Sequence, residues 1–451
     1  MTKTIAEALV AKCSTAAPTP VVEAMADTLL IDIAGICVAA RETDFLTAAA
    51  ASCDAGVTCT VIGLPNRYSA ADAALLNGTA AHGEDFDDTF EGGPVHAGAV
   101  ILPAVLATAE RHGVGGRQAM RAIVIGSEIT CRLSLVVPKA VHKAGFHPTA
   151  IFGAIGAAAA AGTALGLKEK QLVDALGIAG SMASGIIEYL AEGTWTKRMH
   201  AGWAAQSGYR AARLAEAGFT GPRTLFEGTH GLFHGFANTL PKDFSALLDG
   251  FGERWVSETI AFKPYACGTM IHPYIDCARR IRAQGIDIAA IVDIECETSD
   301  GILHRLWEPL EAKQNPKNGY AAKFSIPYGI AAGLVLGEAG LGAFADAQVA
   351  DPRLQALAQR VRYRIDPANP YPKQFTGHVR ITLRDGRVIE ERQPHFRGGA
   401  EEPLGMDEIA EKFRLNCRHG GFDAARIERL IEATRGLLRT DQTVTLAAFG
   451  G

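Results

Sequence analysis

Between Thr79 and Gly98 the chain sets four carboxylates, Glu84, Asp85, Asp87 and Asp88, within five positions. Carboxylates this close repel one another, and the apolar, Ala-rich helical patterns on either side lower the local dielectric enough for that to count. Such a cluster needs cations around it, a bound metal or a shared proton. His82 and His96 bracket it, and Gly92-Gly93-Pro94 bends the chain between them. A solvated acidic loop is the bland alternative, but histidines at both rims point to a site. A calcium loop needs alternate oxygen ligands, a Gly at the sixth position and a closing Glu. Counted from Asp85 that pattern fails, so no metal is assigned.

Four further segments carry side chains suited to acid–base work or anion binding. In Gly145-Phe146-His147-Pro148-Thr149, Pro148 suits the first position of a helix and places His147 at the N-cap. The positive helix end disfavours imidazolium and attracts a carboxylate, so His147 is expected neutral at pH 7 and able to accept a proton. Lys197 and Arg198 precede His200 and a run of small residues. They suit carboxylate binding, Arg as a fork and Lys as a point charge. Pro264 holds Lys263 extended, at a boundary where the texture of the sequence changes. Pro327 marks a helix start that puts Tyr328 near the positive end, where a phenol can bond an oxyanion or deliver a proton. A capping histidine, a basic corner, a surface lysine and a core tyrosine are the ordinary explanations of the same residues.

The stretch His82-Gly-Glu-Asp-Phe-Asp-Asp-Thr89, followed by His96 and Ala97-Gly-Ala-Val-Ile-Leu-Pro-Ala104, resembles the MmgE/PrpD family. The family's activities include 2-methylcitrate dehydration, cis-aconitate decarboxylation and iminodisuccinate epimerisation. The resemblance extends over nearly the whole chain through the four segments above. It implies that His147 is the catalytic base and that Tyr328 contacts substrate; of the residues assembled here, Asp85, His96 or Tyr328 is expected to handle the second proton. It also implies that Lys197, Arg198, Lys263 and Thr89 bind substrate. Where many members have His-Pro-Gly/Ser-Ala, this chain has His96-Ala97-Gly98-Ala99, which alters the loop that shapes substrate choice.

These residues must be positioned mainly by helices. Apolar spacing predicts helices over 4–13, 20–40, 43–53, 70–82, 97–112, 117–135, 149–165, 168–179 and 200–217. Cys59 to Gly63 is a short β-like run, and Ser69 is placed to cap the helix that enters the acidic stretch. Period-two alternation then appears at 291–298, 361–365 and 378–383, with Arg384-Asp385-Gly386 turning the chain into 387–392. Helices lie between them at 324–337 and 352–360, and helical spacing returns at 406–415 and 423–437. The expected fold is mainly α: a large all-helical domain, 1–262 plus 403–451, interrupted by a smaller α+β lid domain, 263–402.

Composition narrows the class. Of 451 residues, 48% are hydrophobic and 21% charged, with a net charge of −5, an ordinary globular balance without the basic surplus of a nucleic-acid protein. Nine cysteines without a Cys-x-x-Cys fit a reducing, cytoplasmic setting and argue against an iron–sulfur dehydratase. The uncharged run 148–167 owes its apolarity to Ala and Gly, so it reads as a buried helix and not a membrane span. The expected activity is cofactor-free proton removal α to a carboxylate of a small di- or tricarboxylate, leading to dehydration or decarboxylation. Epimerisation through the same carbanion is the alternative, followed by a metal-dependent hydrolase and a non-catalytic binding protein. A homodimer built on the helical domain is expected from the resemblance, with no nucleic-acid or membrane partner.

Overall fold

Eleven helices carry the first half of the chain, and their ends follow local chemistry. The computed structural model describes residues 3–450. The helices are α1 Ile5–Thr15, α2 Pro20–Ala40, α3 Asp44–Ala51, α4 Ala70–Gly83, α5 Gly98–His112, α6 Gly116–Val136, α7 Ala140–Lys143, α8 Pro148–Ala164, α9 Glu169–Met182, α10 Tyr189–Glu192 and α11 Thr196–Glu216. Thr4 and Glu7 close a reciprocal capping box on α1. The Ser69 hydroxyl accepts the Asp72 N–H at the start of α4, and Pro20 and Pro148 open α2 and α8. Gly113 ends α5 at φ +70, a left-handed conformation that glycine adopts without strain.

The chain divides into two compact units, residues 1–261 with 406–451, and residues 262–405. In the first, α8 is buried along its entire length, among α5, α6, α9 and α11. A helix of Ala and Gly suits that place because its thin surface lets neighbours come close. Among the described residues, no helix is long and apolar enough to cross a membrane. The closest approach is between α4 and α11. A Cβ on Gly78 would lie 2.5 Å from the Gly202 Cα, and one on Gly202 would lie 2.0 Å from the Leu75 carbonyl oxygen. This crossing brings His82, on the last turn of α4, towards Lys197 and His200 at the start of α11. Helices Met406–His419 and Ala424–Thr434 complete the unit, the former packed on α2.

The first unit also contains strands of two residues each; one falls in the β-like run expected from Cys59 to Gly63, and the others lie where the sequence shows no strand. Strands β1 Ala55–Gly56, β2 Cys59–Thr60 and β3 Arg67–Tyr68 form one small antiparallel group. Strands β4 Thr89–Phe90 and β5 Ile260–Ala261 pair antiparallel, with Thr89 opposite Ala261. Two-residue strands are too short to show alternation, which is why the pattern misses them. The β4–β5 ladder fixes the far end of the acidic stretch. The approach to β5 is held in turn by Arg132, whose guanidinium donates to the Ala246, Asp249 and Arg254 carbonyls.

The second unit is built on the sheet β7-β6-β8-β9, with β6 Ile291–Thr298, β7 Val361–Ile365, β8 Gly377–Leu383 and β9 Val388–Gln393. β6 and β7 run parallel, β6 and β8 antiparallel with a bulge between Ile291 and Asp293, and β8–β9 is a hairpin. Helix His272–Ala283, absent from the sequence reading because its apolar spacing is broken by Arg279, Arg280 and Arg282, packs on β8 and β9 and on helix Ile326–Val335. The molecule is therefore mainly α, with its longer strands confined to the C-terminal part.

Gly202→Ala places a methyl against main chain that no side-chain rotation relieves. A loss of roughly 3 kcal/mol is expected, at the upper end of overpacking costs, read as a lowered urea midpoint. Ala at the open position Gly235, which no atom approaches, serves as the control and should cost little. Equal stability of the two variants would contradict the close crossing.

Candidate active site

Each of the four clustered carboxylates has a different counterpart. Glu84, the C-cap of α4, lies 3.8 Å from the Arg198 guanidinium, which also stacks 4.5 Å above the Phe45 ring. Asp85 accepts a charge-assisted hydrogen bond from the Lys197 ammonium. Asp87 takes the His82 Nδ1 at 2.7 Å and lies 3.6 Å from the His96 Nδ1. Asp88 accepts the Gly98 N–H at 3.1 Å and so places its charge at the N-terminus of α5. A Cβ on Gly98 would lie 2.4 Å from the Asp88 carboxylate, so glycine is required for that approach. Asp85 itself has φ +56, a left-handed conformation that Asp tolerates better than most residues.

Four imidazoles gather beside these carboxylates. His82 stands 5.0 Å from His96 and 5.4 Å from His147, ring centre to ring centre, and His147 stands 5.4 Å from His200. The tethers are specific. The His147 N–H donates to the Gly185 carbonyl, the Ile187 N–H to Gly145, and Phe146 bridges Ile186. Gly185 has φ +131, and a Cβ there would meet Ala150 at 2.8 Å and the His200 Nδ1 at 3.2 Å. The His96 N–H donates to the Thr149 hydroxyl at 3.2 Å and its Nδ1 contacts the Asp88 carbonyl at 2.6 Å. Tyr189 borders both His147 and His200.

His147 is the N-cap of α8, as its sequence position implies, but its side chain makes no capping bond. Its pKa is pushed well below the usual histidine value. Burial is the first cause, followed by the charges of His82, Lys197, His200 and His96. Burial and these neighbours thus act on His147 in the same direction as the helix end. His200 is pushed down to about 4, again by burial first and then by His82 and Lys197. The Nδ1 atoms of His147 and His200 lie 3.3 Å apart. Two neutral imidazoles at that distance share one proton, one ring donating and the other accepting.

The expected site residues fall into two groups. His147, Asp85, His96, Lys197, Arg198 and Thr89 belong to the helical unit; Thr89 is half-buried in β4. Lys263 and Tyr328 belong to the second unit. Lys263 is buried, next to Phe262, whose N–H donates to the Gly398 carbonyl. Tyr328 is fully buried, and its hydroxyl donates to the Ala343 carbonyl at 2.5 Å. Burial raises its pKa, and its ring packs against Phe344. That hydroxyl is thus held on the main chain of its own unit.

Sequence reasoning missed His82, His200 and Tyr189 as members of the cluster. His82 was visible only as a bracket of the acidic stretch; its Asp87 partner, five positions on, follows the helix end and has no fixed spacing rule. His200 lies about one turn beyond Lys197 on α11, so its spacing alone held the available clue. His82, Asp87 and His96 offer three ligand atoms within 4.8 Å of one another, a set able to hold a metal ion. Of these, the His82 Nδ1 already meets the Asp87 carboxylate, which also lies near the His96 Nδ1. The His82 Nε2, fully buried, has no hydrogen-bond partner.

A helical unit with four clustered imidazoles, three of them buried, a lysine–carboxylate pair and a second, α+β unit point to an enzyme. The chain belongs to the MmgE/PrpD family: the family's N-terminal domain matches residues 3–245 and its C-terminal domain residues 265–436. It is an MmgE/PrpD-type lyase. Cis-aconitate decarboxylase of Mus musculus is 30% identical over 369 residues, covering 79% of this chain and 74% of that protein. Cis-aconitate decarboxylase of Aspergillus terreus is 26% identical over 414 residues, covering 84% and 81%. A mitochondrial 2-methylcitrate dehydratase of Yarrowia lipolytica is 26% identical over 131 residues, 27% of this chain and 25% of that protein.

The depressed histidines fix the sign of a pH effect. Between about pH 4 and 6.5 the unfolded chain protonates His200 while the folded chain does not, so folding stability falls as pH falls through this window. Each such histidine contributes a slope of up to about 1.4 kcal/mol per pH unit. Urea unfolding at several pH values is expected to show a shallower slope for His200→Gln than for the native chain. Identical slopes would contradict the depressed pKa.

Proposed function

We propose that the chain is a lyase that forms a carbanion beside a carboxylate of a small di- or tricarboxylate, using no cofactor. The observation that carries this reading is His147, a buried imidazole kept neutral at pH 7 within reach of the Lys197 charge. A neutral imidazole is a competent base, and the nearby ammonium offsets the charge that develops on the substrate carboxylate. If His147 donates its Nδ1 proton to the neutral His200, its Nε2 holds the lone pair that does the chemistry.

In dehydration, His147 takes the proton from the carbon α to a carboxylate, the electron pair becomes a double bond, and hydroxide leaves as water with a second proton. In decarboxylation, carbon dioxide leaves, its bonding pair stays on the substrate, and a protonated group returns a proton to carbon. Asp85 and His96 are the groups assigned to that second proton. Lys197, Arg198 and Thr89 are assigned to the substrate carboxylates, and Lys263 keeps its expected role of binding substrate. The names of the relatives support decarboxylation of an unsaturated tricarboxylate as the first substrate class to test. Epimerisation would use the same carbanion with reprotonation on the opposite face.

A metal-dependent hydrolase is the second reading, favoured by the clustering of His82, Asp87 and His96. Assays with and without a chelator separate the two. Nine free thiols, eight of them buried, support a reducing cytoplasmic setting. The exposed Trp195, Met199 and Trp203, spaced four apart on one face of α11, support a homodimer built on the helical unit. Light scattering should return twice the chain mass; a monomer at micromolar concentration would remove that expectation.

The decisive variant is His147→Gln. Its kcat should fall by roughly 10²–10⁴-fold, the range of a positioned acid–base group, while Kd for the substrate changes little because the cationic residues remain. Near-native turnover in this variant, or activity that a chelator abolishes and one divalent ion restores, would overturn the reading.

A further inference from the structure

The acidic stretch from Glu84 to Asp88 is neither helix nor strand, so its shape depends on contacts from elsewhere. At its centre is Phe86, buried between the two carboxylates that face Lys197 and the histidines. Lys412, on helix Met406–His419, reaches this residue twice. Its ammonium donates to the Phe86 carbonyl at 2.9 Å and sits 3.9 Å from the centre of the Phe86 ring. The same ammonium pairs with Asp32 of α2 at 2.7 Å. Lys412 and Asp32 are both buried. The two helices meet closely one turn along, where a Cβ on Gly35 would lie 2.9 Å from the Phe413 ring.

A buried ion pair is a poor way to stabilise a helix contact, since apolar residues of similar volume often serve as well or better. This one has a second task. We propose that Lys412, held by Asp32, is a positioning residue that clamps Phe86 and thereby aims Asp85 and Asp87 into the site. Asp85 has left-handed backbone geometry, a conformation that persists only when its surroundings enforce it. With the carbonyl one residue later released, the peptide can turn, withdrawing Asp85 from Lys197 and Asp87 from His82. Lys412 touches no reacting atom; it acts through the loop. The catalytic half of this inference rests on the proposed function, whereas the clamp itself does not.

The test replaces the pair without leaving a buried charge, as Asp32→Leu/Lys412→Met. Two readings are taken on the folded variant: amide hydrogen exchange by residue, and steady-state kinetics on the acid that the native chain turns over. Exchange should quicken across 84–90 and stay unchanged in α5, α8 and α11, while kcat falls roughly 10–100-fold with KM within a few-fold, as misplacing groups by about 1 Å can do. Unchanged exchange at 84–90, exchange quickened equally in all helices, or native kcat in a variant with a loosened loop would each overturn the proposal. If the native chain turns over no polycarboxylate, the proposed function falls and exchange alone decides the clamp. Should the double variant not fold, Phe86→Leu removes the ring beneath the ammonium and must likewise quicken local exchange, an unchanged pattern again overturning it.

Discussion

Four carboxylates in five positions, folded away from water, set the constraint on which the rest of this structure depends. Buried acids are tolerated only when each has a partner. Here the partners come from separate elements: Arg198 and Lys197 from α11, His82 from α4, His96 from the following loop, and the first N–H of α5. Satisfying one short segment from so many directions fixes those elements relative to one another. Burial first, and then the positive charges this requires, push the pKa values of His147 and His200 down. Balancing the acidic stretch thus adds to the acid–base competence of its neighbours.

The helical architecture follows from the same need. Donors one turn apart on two helices reach one segment only if the helices nearly touch, and Gly78 against Gly202 permits that. Between them and α8 there is little side-chain bulk, because α8 is made of Ala and Gly. Apolar burial supplies the stability of this unit, and the small residues determine where the polar groups meet. Such a site is rigid by construction, as preorganised charge stabilisation needs.

Much of this was legible in the sequence. Periodicity located the main helices and the β8–β9 hairpin, because both rest on patterns that repeat within a segment. The acidic stretch announced its demand for cations, and His147 and Lys197 were readable from Pro148 and from the basic pair. The pairings themselves were not legible. Nothing in the spacing couples Asp85 to a lysine 112 positions later, or Phe86 to Lys412, since these depend on helix packing and not on local pattern. For Tyr328 a helix-start motif marks its location, while only the fold reveals that its hydroxyl meets the Ala343 carbonyl. Nor does the local pattern show that burial lowers the pKa of His147, since burial depends on packing.

The central claim is that a buried, neutral His147 exchanges a proton with a carbon atom next to a carboxylate. Solvent deuterium reports this directly. In D₂O, decarboxylation of cis-aconitate or epimerisation of an iminodisuccinate-type acid should place deuterium at that carbon in step with turnover, and dehydration of 2-methylcitrate deuterated there should release the label to solvent. A decarboxylated or epimerised product free of deuterium at that carbon, or a dehydrated product that keeps the label, would contradict the claim.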